Sequence, residues 1–159
     1  MIVAPSRRAW RLATDRRGNV MIEFALTLPI LFLLLVGLLD LGQFSLQKSA
    51  MLQGAREGAQ YGIIAPADSS NINTTAQNAT GRTGVTATNT VFCECSSAPG
   101  TTVGCGTTCT GGAALKKYVT VTTTASFKSV LGATTTNFGS FGSWTPPTSV
   151  SASVTMIVP

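Results

Sequence analysis

From Val20 to Leu39 the chain is apolar at nearly every position, and the one carboxylate in those twenty residues is Glu23. Such a run has no polar face, so it predicts a helix that is apolar all round. At about 1.5 Å per residue it spans roughly 30 Å, the hydrocarbon thickness of a bilayer. A secretory signal has a shorter apolar region, about 7–15 residues, closed by a small-x-small cleavage site. Here the run passes instead into Leu39-Asp40-Leu41-Gly42. A retained membrane helix is the expectation. The helical pattern then continues to about residue 63, with Phe44, Met51 and Ala55 on one stripe and Leu52 and Ala59 beside it. Gly54, Gly58 and Gly62 recur at intervals of four along this extension, with Ala55 and Ala59 alongside. Small residues at that spacing let another backbone approach closely. Each glycine also weakens a helix by about 1 kcal/mol, so the face needs a packing partner. Either the protein's own sheet or a second chain would serve, and the spacing leaves both open.

After Ala65-Pro66 the pattern changes. A short helix is predicted over about 71–79, capped by Asp68, Ser69 or Ser70. Period-two runs follow. Val85, Ala87, Val91, Cys93 and Cys95 fall on odd positions, with Thr86, Thr88 and Thr90 between them. Val119, Val121, Ala125 and Phe127 alternate with Thr120, Thr122, Thr124 and Ser126. Val150, Ala152, Val154, Met156 and Val158 alternate with serines and Thr155. Three runs, polar on one face only, predict an antiparallel sheet with its apolar face covered. The predicted class is therefore α+β. Its segments are a leader over 1–18, a membrane helix over 19–40, a helical extension over 41–64 and an external β-rich domain over 65–159. Threonine is concentrated in that domain, which holds 22 of the 24 in the chain; strand alternation explains this, because threonine suits a pleated, half-exposed surface.

Composition narrows the function. Charged residues are 11% of the chain and histidine is absent, which removes the commonest general base, the histidine-activated nucleophiles and most metal sites. The six carboxylates show no acid/base pairing in sequence. A non-catalytic protein without cofactor or metal is the expectation. Most of the net charge of +5 lies on one flank: Arg7, Arg8, Arg11, Arg16 and Arg17 against Asp15 supply +4 of it before residue 18, and the rest of the chain carries +1. No basic face remains for nucleic acid. The arginines precede the apolar run, so the positive-inside bias keeps the N-terminus in the cytoplasm and sends everything after Asp40 outside. In that compartment Cys93, Cys95, Cys105 and Cys109 are expected to form two disulfides rather than a zinc site. Three connectivities are possible.

The most specific pattern is Arg16-Arg17-Gly18-Asn19-Val20-Met21-Ile22-Glu23-Phe24. It resembles the recognition site of a type IV prepilin peptidase, which cuts after the glycine and leaves a glutamate at the fifth mature position. The longer run through Glu23-Phe24-Ala25-Leu26-Thr27-Leu28-Pro29, Gly37, Asp40, Gly42 and Ala55-Arg56-Glu57-Gly58-Ala59 is similar to the TadE-like family, minor pilins or pseudopilins of the tight-adherence (Flp) pilus system. The resemblance covers roughly residues 15–64. It implies a pilin-like fold, cleavage between Gly18 and Asn19, and a structural role in assembling a bacterial surface pilus. The implied location is the inner membrane in a single pass, with the C-terminal domain periplasmic or on the pilus. The implied partners are other pilus subunits, the inner-membrane assembly platform, the prepilin peptidase and the lipid bilayer. Arg16 and Arg17 would hold the scissile bond at the headgroups. Glu23, beside Phe24, would meet the new amine at Asn19 of a neighbouring subunit and set axial register; the plainer reading is a carboxylate reaching the cytoplasmic headgroups. The competing function from another class is a membrane-anchored surface or periplasmic binding module.

Overall fold

The structure is a computed structural model that describes residues 16–130, 132, 135–137, 140 and 142–159. The outer leader residues Arg7, Arg8, Arg11 and Asp15 lie outside the described residues. The chain divides between Leu39 and Asp40 into two compact units. Helix α1 (Arg16–Ile64) is continuous through Pro29 and crosses that division.

In the second unit α1 ends where the sequence stops supplying donors. The Ala65 N–H still bonds the Tyr61 carbonyl at 3.0 Å, and Pro66 has no N–H with which to continue. Helix α2 (Ser69–Ala79) starts from Asp68 as its N-cap. The Asp68 carboxylate accepts from the Asn71 side-chain amide at 2.6 Å, from the Asn71 backbone N–H at 3.2 Å and from the Tyr61 hydroxyl at 3.4 Å. The Asn71 side chain foremost, then its backbone N–H, hold this carboxyl below its ordinary range. A depressed carboxylate stabilises the fold above its unfolded pKa, and that contribution is lost as pH falls through the folded value.

The strands are β1 (Val85–Cys95), β2 (Thr102–Val103), β3 (Leu115–Ser126), β4 (Thr136–Asn137), β5 (Ser143–Trp144) and β6 (Ser149–Val158). The main sheet has the order β2-β1-β3-β6 and is antiparallel throughout, while β4 and β5 pair separately. The predicted α+β architecture is present: an apolar helix, then an antiparallel sheet built from the three alternating runs. Two-residue strands such as β2 are too short to show a period, and their pairing follows from the loops that carry them.

Both helices of the second unit supply the cover for one face of the sheet. Ala59 of α1 and Ile72 and Ala76 of α2 pack on Ala87, Val119 and Val121. Nearer the other end, Met51 of α1 packs on Ala125, Phe127, Val150 and Ala152. Thr123 interrupts the apolar face of β3 yet is fully buried, because its hydroxyl donates to the Met51 carbonyl at 2.8 Å. A buried hydroxyl so satisfied costs little, and it ties strand to helix. The opposite face carries hydroxyl pairs across strands, Thr120 with Thr155 at 2.7 Å and Thr122 with Ser153 at 3.0 Å.

The cysteines form two disulfides, Cys93–Cys105 and Cys95–Cys109, with Cα separations of 5.1 and 5.7 Å. Cys93 and Cys95 share a face of β1, and both bridges return the same excursion to the end of that strand. The Glu94 carboxylate between them accepts from the Gly100 N–H at 3.2 Å. With 12 and 14 residues separating the partners, closure stabilises the loop by about 3 kcal/mol per bridge on the chain-entropy account. Alkylation without reduction should therefore leave the intact mass unchanged, and reduction first should add four labels. Labelled thiols before reduction would refute the pairing.

Candidate functional site

Among the described residues one helix is long and apolar enough to cross a membrane. A core helix of that composition would be mostly covered, whereas none of the most apolar window of α1 is buried inside the protein. Phe24, Leu31, Phe32, Leu34 and Leu38 are each more than half exposed. Burying a side chain of this kind is worth about 1.5–3 kcal/mol, so the fourteen large apolar side chains exposed between Val20 and Leu39 demand an apolar surrounding. A bilayer or a bundle of like helices provides one.

At the start of this helix Arg16, Arg17, Gly18 and Asn19 have helical backbone. The Gly18–Asn19 bond thus lies in the first turn, where backbone N–H groups have no intrahelical partner and unwinding is cheap. Glycine adds pliability at that point. Glu23 and Phe24 follow on the exposed segment, and the Thr27 hydroxyl donates back to the Glu23 carbonyl at 3.0 Å. The structure thereby places the basic pair, the glycine and the glutamate within two turns of one helix.

The small-residue stripe on α1 faces inward. Ala55 and Ala59 are fully buried. A Cβ on Gly54 would stand 2.5 Å from the Ala76 carbonyl oxygen, one on Gly58 2.7 Å from the Ala76 Cβ, and one on Gly62 2.9 Å from a Val119 methyl. The stripe is the seat of α2 and β3, which fill it within the same chain. Sequence spacing left an outside partner equally open, and the covering helix α2 resolves the choice.

Asp40 is the residue that sequence reasoning undervalued. Read as a marker of the outer membrane interface, it is 7% exposed. Its carboxylate accepts from the Val130 N–H at 2.6 Å and from the Ser129 hydroxyl. It fastens the segment after β3 to the first turn of α1 in the second unit. The signal available in sequence was its position, a lone carboxylate closing an uncharged run of sixteen residues from Phe24 to Leu39, but nothing there named its partner ninety residues away.

Among the described residues no group of three metal-ligating side chains gathers, and all four cysteines are consumed by disulfides. Shallow grooves are present among the described residues. One runs along α1 beside Arg56 and Glu57, and another lies between Gln47, Arg82 and Ser126.

Residues 18–60 match the family described as TadE-like protein, the family to which the sequence resemblance points. The matched stretch opens at Gly18, takes in the exposed apolar helix and ends inside the buried seat. It lies wholly within α1 and stops short of α2 and the sheet. No curated protein and no solved structure matches the chain.

Proposed function

We propose that this protein is a minor pilin or pseudopilin of a tight-adherence pilus, a structural and non-catalytic subunit held in the inner membrane before assembly. One observation carries the reading. The same unbroken helix is an uncovered apolar rod over its first part and the core helix of a folded domain over its second. A signal helix discarded at its end would leave the domain without its stem, whereas a pilin needs both parts as one piece. The match over residues 18–60 runs across that junction, which favours a family built on the same plan.

In this reading the leader through Gly18 is cytoplasmic and residues 41–159 are periplasmic, as the arginine bias directs. A prepilin peptidase cuts between Gly18 and Asn19. The freed amine of one subunit then meets Glu23 of another as the helices bundle beside the assembly platform. A charge pair in an apolar bundle is strong because the medium screens it little.

Deleting the gene with the major pilin gene intact is expected to abolish piliation, and re-expression of the wild-type chain to restore it. A periplasmic reporter fused after Pro159 is expected to be active in the restored strain. Normal piliation in the deletion strain would favour a membrane-anchored binding module instead. Activity of a cytoplasmic reporter alone would overturn the topology.

A further inference from the structure

Asp40 directly follows the apolar run, so whatever it touches lies close to the point where the chain leaves the bilayer. Its carboxylate holds Ser129 and Val130. One turn on, Phe44 meets Phe127 edge to face with ring centroids 5.4 Å apart. Beyond it Gln47 donates to the Ser126 carbonyl at 3.0 Å, and Lys48 donates to the Ser151 carbonyl. These contacts fasten one end of the sheet near the membrane exit. It is the end where β3 finishes and β1 and β6 begin, with Val85 opposite Ala125 and Ser149 opposite Ser126.

Charge is divided along the same axis. Lys48, Arg82 and Lys128 are exposed at this end. Arg82 lies in the turn between α2 and β1 and lines, with Gln47 and Ser126, a groove of about 310 Å³. Asp40, the carboxylate nearest to them in the chain, is buried and hydrogen-bonded. The other carboxylates of the unit are remote. Glu57 is about 13 Å beyond Lys48 along α1, and Asp68 is at the start of α2, about 16 Å from the Arg82 end. Glu94 is about 30 Å up β1 from Val85, opposite Lys116. All exceed the Debye length of about 8–10 Å at physiological ionic strength. With only the Asp40 carboxylate at this end to set against Lys48, Arg82 and Lys128, the three proximal cations leave a net positive charge there.

The geometry points to a headgroup-binding rim: Lys48, Arg82 and Lys128 hold the phosphates of anionic phospholipids in the leaflet from which the domain emerges. The apolar stems of these side chains reach over the surface while their charged ends meet phosphate. Each lysine or arginine beside an anionic surface adds roughly a fivefold preference for it. The rim sets the folded domain down on the membrane while its stem is still embedded. This inference rests on the membrane-anchored reading above.

The test uses the whole chain reconstituted in phosphatidylcholine vesicles with or without phosphatidylglycerol, read by amide hydrogen exchange. Phosphatidylglycerol is expected to slow exchange at residues 81–84 and 126–130 by about fivefold or more. A K48Q/R82Q/K128Q protein should lose that slowing, with exchange at residues 119–125 unchanged as evidence of an intact core. Equal exchange in the two vesicles, with residues 20–39 protected in both, would overturn the rim and leave the anchor standing. The same protection from inorganic phosphate in phosphatidylcholine vesicles would overturn the assignment to lipid. Free exchange over residues 20–39 in either vesicle would overturn the anchor and the rim together.

Discussion

A Gly54→Leu protein is expected to lose about 3 kcal/mol of stability in its folded unit, while Gly42→Ala on the same helix gains about 1 kcal/mol. The two glycines have the same helical backbone and the same cost in chain entropy. They differ in what surrounds them. Nothing lies within 4 Å of a Cβ on Gly42, whereas one on Gly54 would stand 2.5 Å from the backbone carbonyl oxygen of Ala76. A backbone oxygen in α2 moves only if α2 moves, and α2 is held by Ile72 and Ala76 in the core. Leucine there must lift the helix off α1. For a unit of this size a loss of about 3 kcal/mol lowers the unfolding midpoint by roughly 10 °C. Thermal unfolding of the detergent-solubilised chain, followed by circular dichroism, measures both shifts. Equal shifts for the two substitutions would show that the stripe is not the seat of α2.

Gly18→Leu is expected to stop maturation and, with it, pilus formation. A branched side chain next to the scissile bond stiffens a turn that the peptidase must open, and it obstructs the close approach that glycine permits. Glu23→Ala should act later. Removing a carboxylate from an apolar segment makes insertion easier, so membrane localisation and processing should persist. Assembly should fail if the proposed pairing holds, because the amine at Asn19 of the neighbouring subunit would be left in an apolar bundle without a partner. Breaking a desolvated pair in this way costs about 3–5 kcal/mol, which is a hundredfold or more in an assembly equilibrium. Glu23→Asp keeps the charge on a shorter stem and should impair assembly less. Immunoblotting of membranes and electron microscopy of the same cells separate the two steps. Uncleaved Glu23→Ala protein would assign Glu23 to processing instead of assembly.

The parts of the fold legible in the sequence were those with a period. The apolar run and its extension give α1, and Val119-Thr120-Val121-Thr122 and its counterparts give β1, β3 and β6, because side chains alternate across a strand with period two. Asp68, Ser69 and Ser70 together announced the start of α2, since short polar side chains accept from the N–H groups that a helix start leaves unpaired, and Asp68 is the one that caps it. Features that depend on contacts between distant residues were not legible. Cysteine pairing depends on Cys93 and Cys95 pointing to one face while the loop returns twice, which spacing does not encode. Thr123 stands on the apolar face of β3, and the alternation does not name the Met51 carbonyl that its hydroxyl meets. Asp40 looked like a boundary marker until Ser129 and Val130 were found beside it. The glycine stripe was legible as a close approach, but its occupant was not. Of the candidate site, the chemistry at Arg16, Arg17, Gly18, Asn19 and Glu23 came from the local pattern alone, and the structure adds only that all five stand on one helix.

The most direct measurement is the N-terminal sequence of the protein isolated from the membranes of cells that are making pili. A chain beginning at Asn19 is the predicted result. A chain still beginning at Met1 would contradict the claim that this helix is the processed stem of a pilus subunit.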